Sequence, residues 1–321
     1  MKQNKKSWNE SLMKAMRAVN FMSGRSVEEA ELKNHRRSVE RAGKLATPKG
    51  SVSITAFSVG NILCEAVKPD FAYNPDYAIL YAHGGGYISG GLGYARVLAA
   101  KMAAATGLTV ISFEYRLAPE YPYPAALTDT SDVWDFLTKD LYRPDHVFIA
   151  GDSAGGNLAL CLTQKFIKEG LPLPFGLLLF SPWTDMTGTA GSYESNAAQD
   201  PVLSKQYIMD AAKAYIGEAG EPGDVRFSPL FGDLSGMPPV FIMAGRNEIL
   251  LDDSIRLRER IEEAGGRAGL DIEENGWHVY QQMPIPIAKR AMKRLSAYVT
   301  GEIYGTDNLK AEFWNDKREL V

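Results

Sequence analysis

His146-Val-Phe-Ile-Ala-Gly-Asp-Ser-Ala-Gly-Gly-Asn157 joins an apolar, β-rich run to a tight glycine turn and to a helical pattern that continues to Lys168. The pattern G-x-S-x-G arises by chance in roughly one chain in six of this size and composition, so the motif alone says little. Its setting says more. A serine placed on a sharp turn between a strand and a helix needs small neighbours, and Gly151 and Gly155 supply them around Ser153. Such a turn pushes the serine oxygen out above a sheet, next to a helix N-terminus whose partial positive charge favours a developing oxyanion.

The flanking chain supplies that sheet. Short apolar runs fall at Val52–Val59, Tyr77–His83, Leu108–Tyr115, His146–Ala150, Phe175–Ser181, Val240–Ala244 and Ala268–Glu274. Between them lie helical patterns near Tyr94–Ala105, Ala125–Thr138, Ala154–Lys168, Lys205–Ile216, Ser254–Ala264 and Ile287–Tyr298. Strands such as Phe175-Gly-Leu-Leu-Leu-Phe180 are apolar throughout, which suits a sheet buried on both faces. Alternating strand and helix then predicts an α/β fold with a mostly parallel, doubly wound sheet and helices on both faces. Two segments depart from the alternation. Residues 7–46 read as two amphipathic helices, one with Trp8, Leu12, Met16 and Val19 on a single face, the other opened by a Ser26/Glu29 capping box. Residues 185–227 read as a polar loop plus one helix inserted into the alternation. A single domain, 1–321, carrying these two segments as a lid, is the expected organisation.

Composition removes several function classes. The 321 residues are 45% hydrophobic and 23% charged, ordinary for a globular protein, and 35 Lys+Arg against 39 Asp+Glu leave a net charge of −4. Near-balanced charge argues against a nucleic-acid binder. No run of 18 apolar residues occurs, so no membrane span is expected. Lys2, Lys5 and Lys6 imitate the start of a signal peptide, but Glu10, Lys14 and Arg17 break any apolar core, and the expected compartment is the cytoplasm. Cys64 and Cys161 are the only cysteines, too few for a disulfide framework or a zinc site. Dinucleotide and P-loop fingerprints are absent, so neither metal nor organic cofactor is expected.

A serine nucleophile needs a base, and the base needs an orienting acid. Of four histidines, His35 sits beside Arg36 and Arg37 on a helix read as solvated; His83 ends a strand before three glycines; His146 begins a strand. His278 alone lies in a late loop after the last strand, in the chain order expected for this turn architecture: nucleophile, acid, histidine. Glu248, Asp252 and Asp253 all follow the strand Val240–Ala244. Glu248 is preferred because it leaves the strand first, whereas Asp252 and Asp253 suit the N-terminus of the next helix. Upstream, His83-Gly-Gly-Gly86 offers backbone N–H groups that can crowd around an oxyanion without an intervening Cβ.

His83-Gly-Gly-Gly86 and Gly151-Asp-Ser-Ala-Gly155 resemble the hormone-sensitive-lipase family of α/β-hydrolases, the bacterial family IV carboxylesterases. Tyr115-Arg-Leu-Ala-Pro-Glu120, Ser181-Pro-Trp-Thr-Asp185 and Asp200-Pro-Val-Leu203 extend the likeness over roughly residues 75–300. The resemblance implies an α/β-hydrolase fold and a serine carboxylesterase acting through an acyl-enzyme. It implies Ser153 as nucleophile, His278 as base, Glu248 where relatives usually carry aspartate, and the amides of Gly84, Gly85 and Ala154 as oxyanion hole. It also implies that residues 1–46 and 185–227 build a cap. The residues Ser204–Gly217 mix Tyr207, Ile208, Met209 and Tyr215 with Lys205, Asp210 and Lys213, as a lid over a finite pocket would rather than a lipid-binding surface. The expected partner is therefore a small-molecule ester with a short acyl chain. A lactone or amide hydrolase using the same machinery, a catalytically dead receptor and a homodimeric assembly all stay open at this point.

Overall fold

The computed structural model describes residues 29–47, 50–71 and 73–305. The first expected N-terminal helix and the Ser26 cap lie outside them. The second helix is present as α1 (Glu29–Ala46).

Eight strands form one sheet: β1 (Val52–Val59), β2 (Ile62–Pro69), β3 (Ala78–Ala82), β4 (Thr109–Phe113), β5 (Val147–Asp152), β6 (Gly176–Phe180), β7 (Val240–Gly245) and β8 (Ala268–Glu273). Their order is β1-β2-β4-β3-β5-β6-β7-β8. From β4 to β8 all pairs are parallel, and β1 and β2 are added antiparallel at one edge. The mostly parallel α/β sheet expected from the alternation is therefore observed, with one strand more than the sequence reading provided. That strand, Ile62–Pro69, was missed because Glu65 and Lys68 break its apolar run. Glu65 is nevertheless buried, its carboxylate gripped by the Arg96 guanidinium. β3 to β7 are buried along their whole length, as continuous apolar runs between two helical layers require.

The helices are α2 (Leu92–Thr106), α3 (Ala125–Asp140), α4 (Ala154–Glu169), a single turn α5 (Ser192–Ser195), α6 (Lys205–Ile216), α7 (Leu251–Glu263) and α8 (Pro286–Tyr304). α7 begins three residues earlier than expected, so Asp252 and Asp253 fall inside its first turn. His146 closes a short 3₁₀ turn, Pro144–His146, instead of opening the strand. His35, expected in solvent, is only 4% exposed. Its arginine neighbours hid the apolar side of α1, which also buries Leu32.

β3 pairs with β4 on one side and with β5 on the other, so the chain reverses its direction of travel across the sheet between β3 and β5. Crevices form at such a reversal, at the C-terminal ends of the strands. His83 leaves β3 and Ser153 leaves β5 at that end, and the two strands are in register there, Ala82 opposite Gly151. α4 packs tightly under this turn. A Cβ on Gly155 would overlap the Ala82 carbonyl, and one on Gly151 would overlap the Gly155 carbonyl. Gly170, the C-cap of α4 at φ 64°, has nothing within 4 Å of a Cβ. Gly155→Ala should therefore lower the unfolding free energy by about 2–3 kcal/mol through overpacking. Gly170→Ala should lower it by only about 1 kcal/mol, through backbone strain. Urea denaturation of the two variants checks this ranking.

Candidate active site

Ser153 sits between β5 and α4 at φ 54°, ψ −118°, a region that an L-residue occupies only when its surroundings compel it. The compulsion is visible: the Ser153 N–H donates to the Phe180 carbonyl at 3.0 Å, and its own carbonyl accepts from Trp183 N–H at 3.1 Å. Although Ser153 stands at the N-cap of α4, its side chain makes no capping hydrogen bond, so the hydroxyl is not spent on the helix. Three other non-glycine residues have positive φ among those described: Tyr87, Ser181 and Val279. Ser181 follows β6, Val279 follows His278, and the two are joined by a 3.0 Å hydrogen bond from the Val279 N–H to the Ser181 hydroxyl. Strain is thus confined to the strand-end loops around Ser153.

The glycine loop is tied to this turn by the neighbouring Asp152, fully buried. Its carboxylate accepts from Tyr81 Oη at 2.6 Å, Gly84 N–H at 2.8 Å and Tyr94 Oη at 2.6 Å. Gly84 must be glycine because a Cβ there would collide with that carboxylate. Tyr87 completes the attachment. Its hydroxyl donates to Asn157 Oδ1 at 2.8 Å, and its ring stacks on Tyr215 of α6 with centroids 3.6 Å apart.

Glu248 and His278 meet on the far side of Ser153's strand. His278 Nδ1 lies 3.0 Å from Glu248 Oε2, and both side chains are buried. Glu248 Oε1 accepts the Gly245 N–H at 3.0 Å, so the longer glutamate arm is folded back against its own turn. The other two carboxylates are engaged elsewhere. Asp252 accepts the Ser192 N–H at 2.8 Å, and Asp253 accepts the N–H groups of Thr184 and Asp185 at 2.7 and 2.9 Å.

Residues 79–282 match a family of the α/β hydrolase fold. The chain is 38% identical over 224 residues to an esterase of Acinetobacter venetianus, covering 69% of this chain and 74% of that one. It is 33% identical over 276 residues to an acetyl-hydrolase of Streptomyces hygroscopicus, covering 83% and 88%. The crystal structure of an esterase from the bacterial hormone-sensitive lipase family superposes with a TM-score of 0.85 at 31% identity, covering 92% of this chain and 98% of that one. The chain belongs to the hormone-sensitive-lipase family of α/β-hydrolases.

The residues expected at the site of this hydrolase, Ser153, Ala154, Glu248, His278, Gly84 and Gly85, all lie at the C-terminal edge of the sheet. Gly84 differs from Gly85 in where its N–H goes. Its N–H points into the Asp152 carboxylate and is spent there, so it is not a donor for a substrate oxygen. In the turn that follows, the N–H groups of Gly85, Gly86 and Tyr87 have no hydrogen-bond partner among the described residues, and those of Ile88 and Ser89 donate to the Gly85 carbonyl. Three consecutive glycines look alike in sequence; Asp152 distinguishes them. His83 is not in the chemistry either. It is fully buried, stacked on Tyr115 with centroids 4.2 Å apart, and Nδ1 is 2.7 Å from the Gly84 carbonyl.

The two buried rings differ electrostatically. Burial pushes His83 below the ordinary histidine value. Burial also pushes His278 down, but the hydrogen bond and charge of Glu248, with the charges of Asp200 and Asp152, outweigh it and hold the ring above its ordinary value. His278 therefore favours folding in acid, and that contribution disappears as pH rises from about 6.5 through the folded-state value. Following the ring carbons by NMR should show His278 titrating above about 6.5 and His83 below it. In Glu248→Gln the His278 midpoint should drop while that of His83 stays in place.

Proposed function

We propose that this carboxylic-ester hydrolase cleaves short-chain acyl esters through a covalent intermediate on Ser153. The 3.0 Å contact between buried Glu248 and His278, on the same sheet edge as the strained serine turn, carries this reading. In the free enzyme Glu248 holds the Nδ1 proton of His278, leaving Nε2 as acceptor. Nε2 takes the Ser153 proton as the hydroxyl oxygen attacks the ester carbonyl. The negative oxygen of the tetrahedral intermediate is met by the N–H groups of Gly85, Gly86 and Ala154, helped by the α4 dipole. His278 then protonates the departing alcohol. Water attacks the acyl-Ser153 ester by the same route in reverse, releasing the carboxylate and restoring the serine.

The assignment of Gly86 in place of Gly84 rests on the hydrogen-bond inventory. The size of the substrate rests on α6. This helix lies over the glycine loop, with a Cβ on Gly86 meeting Ala211 and Tyr207. Its large side chains Tyr207, Ile208, Tyr215 and Ile216 are buried against the body, so it offers no apolar face to a lipid surface. We read 185–227 as a cap that closes a finite acyl pocket and packs against the body as one unit, with α1 joining it. Arg36 of α1 donates to the carbonyls of Ile88 and Ala118, each at 2.7 Å, and Glu40 accepts the N–H groups of Gly93 and Tyr94.

An activated organophosphate should label Ser153, and labelling elsewhere, or none, would remove the nucleophile. Glu248→Gln should reduce kcat by on the order of 10⁴, the size seen when the orienting acid of such a triad is neutralised, while Asp252→Asn stays within a few-fold. Across p-nitrophenyl esters from acetate to laurate, kcat/KM should peak at short chains and fall steeply with length. A peak at the long end, or activation at an oil–water interface, would overturn the substrate class.

A further inference from the structure

The triad acid of this enzyme is a glutamate, one methylene longer than aspartate and with one more rotor to immobilise. The turn that carries it, Arg246–Asp252, is held from one direction by three side chains of the segment after β6. Ser192, Asn196 and Asp200 recur every four residues on one side of that segment. The Ser192 hydroxyl donates to the Ile249 carbonyl at 2.7 Å and accepts the Asp252 N–H at 3.1 Å. Asn196 Nδ2 donates to the carbonyls of Arg246 and Glu248, at 3.1 and 2.9 Å. Asp200 Oδ2 accepts the Ile249 N–H at 3.0 Å. The peptide group that follows the Glu248 Cα is therefore bonded to this segment through both its carbonyl and its N–H, and the Arg246 carbonyl two residues upstream is bonded to it as well.

Asp200 is itself pinned. Its Oδ1 accepts the N–H groups of Val202 and Leu203 at 2.8 and 3.1 Å, and its own N–H donates to the Asn196 carbonyl at 2.9 Å. It is buried, with no cationic partner at hydrogen-bond distance among the described residues; burial pushes its carboxyl up to about 6, so it carries its charge above that pH, and that charge acts on His278. The carboxylates that act on that ring are Glu248 from the β7 turn, Asp200 from the inserted segment and Asp152 from the serine turn.

We propose that Asn196 and Asp200 are positioning residues for ester hydrolysis: together they clamp the backbone of Glu248, and Asp200 adds a second negative charge that supports the protonated His278 formed during the reaction. The inserted segment is then not only a cover over the pocket; it builds the acid end of the triad. Backbone clamped at the root of the side chain, and the Gly245 N–H at its tip, leave the glutamate one reach to the imidazole. A carboxylate in the inserted segment whose charge acts on the ring lowers the cost of charging it.

The proposal rests on the Ser153–His278–Glu248 reading above, and the two are separable by experiment. Steady-state kinetics with p-nitrophenyl butyrate across pH 5–9 would compare the parent with Asn196→Ala, Asp200→Asn, Asp200→Glu and the control Glu248→Gln. Asn196→Ala should lower kcat about 10- to 100-fold, with KM within about twofold and the acid limb of kcat/KM unmoved. Asp200→Asn should lower kcat and also move that limb to lower pH by on the order of half a unit, because a negative charge that acts on His278 is gone. Asp200→Glu keeps the charge but displaces the acceptor. It should lose kcat and keep the limb, and a parental kcat in folded Asp200→Glu overturns the clamp even where Asp200→Asn folds poorly. A parental kcat in folded Asn196→Ala, or an unmoved acid limb in folded Asp200→Asn, overturns the proposal. If Glu248→Gln itself keeps parental activity, the triad reading has failed instead.

Discussion

The buried carboxylate of Asp152 is the contact on which the geometry of this hydrolase turns. It stands next to the strained serine and takes three donors from two separate elements: the Tyr81 hydroxyl and the Gly84 N–H from β3 and its loop, and the Tyr94 hydroxyl from α2. A buried charge is tolerable only when its lone pairs are met in this way. Removing the carboxylate would leave two phenols and an amide buried without a partner, which costs more than the bonds themselves. The same contact decides which way the glycine loop faces. With Gly84 turned inward to Asp152, the N–H groups of Gly85 and Gly86 are left without a hydrogen-bond partner among the described residues.

A second carboxylate, Glu248, works by a different rule. Asp152 is held by side chains and a backbone amide that converge on it; Glu248 is held chiefly through the backbone that carries it. The inserted segment bonds to the turn's peptide groups, and the carboxylate keeps its second oxygen for His278. Both arrangements put ordering cost into the folded scaffold, so that little reorganisation is left for the reaction. The four non-glycine residues at positive φ fit the same pattern, since each is locked by a hydrogen bond or ring stack to a neighbouring loop of the site.

Much of this was legible in the chain. Continuous apolar strands between helical patterns predict a parallel sheet because only burial on both faces tolerates them. The glycines around Ser153 predict the turn because no larger residue fits beneath it. Glu248 was distinguishable from Asp252 by its place at the strand exit, and the structure puts it beside His278. Other features lay below the reach of local pattern. β2 was hidden because a buried Glu65 reads as solvent-facing until Arg96, 31 residues away, is brought to it. His35 was misplaced for the same reason, its burial being set by what α1 packs against and not by its arginine neighbours.

The sequence by itself determined the fold class, the serine turn and the placement of Ser153, Glu248 and His278 after β5, β7 and β8, because each depends on backbone conformations and periodicities that neighbouring residues dictate. Tertiary structure alone decided which glycine N–H groups face outward, and how a glutamate reaches an imidazole thirty positions later. It also decided why Ser192, Asn196 and Asp200 fall in a row. Those outcomes depend on hydrogen bonds between residues far apart in the chain, and a donor in a sequence does not announce which acceptor will meet it.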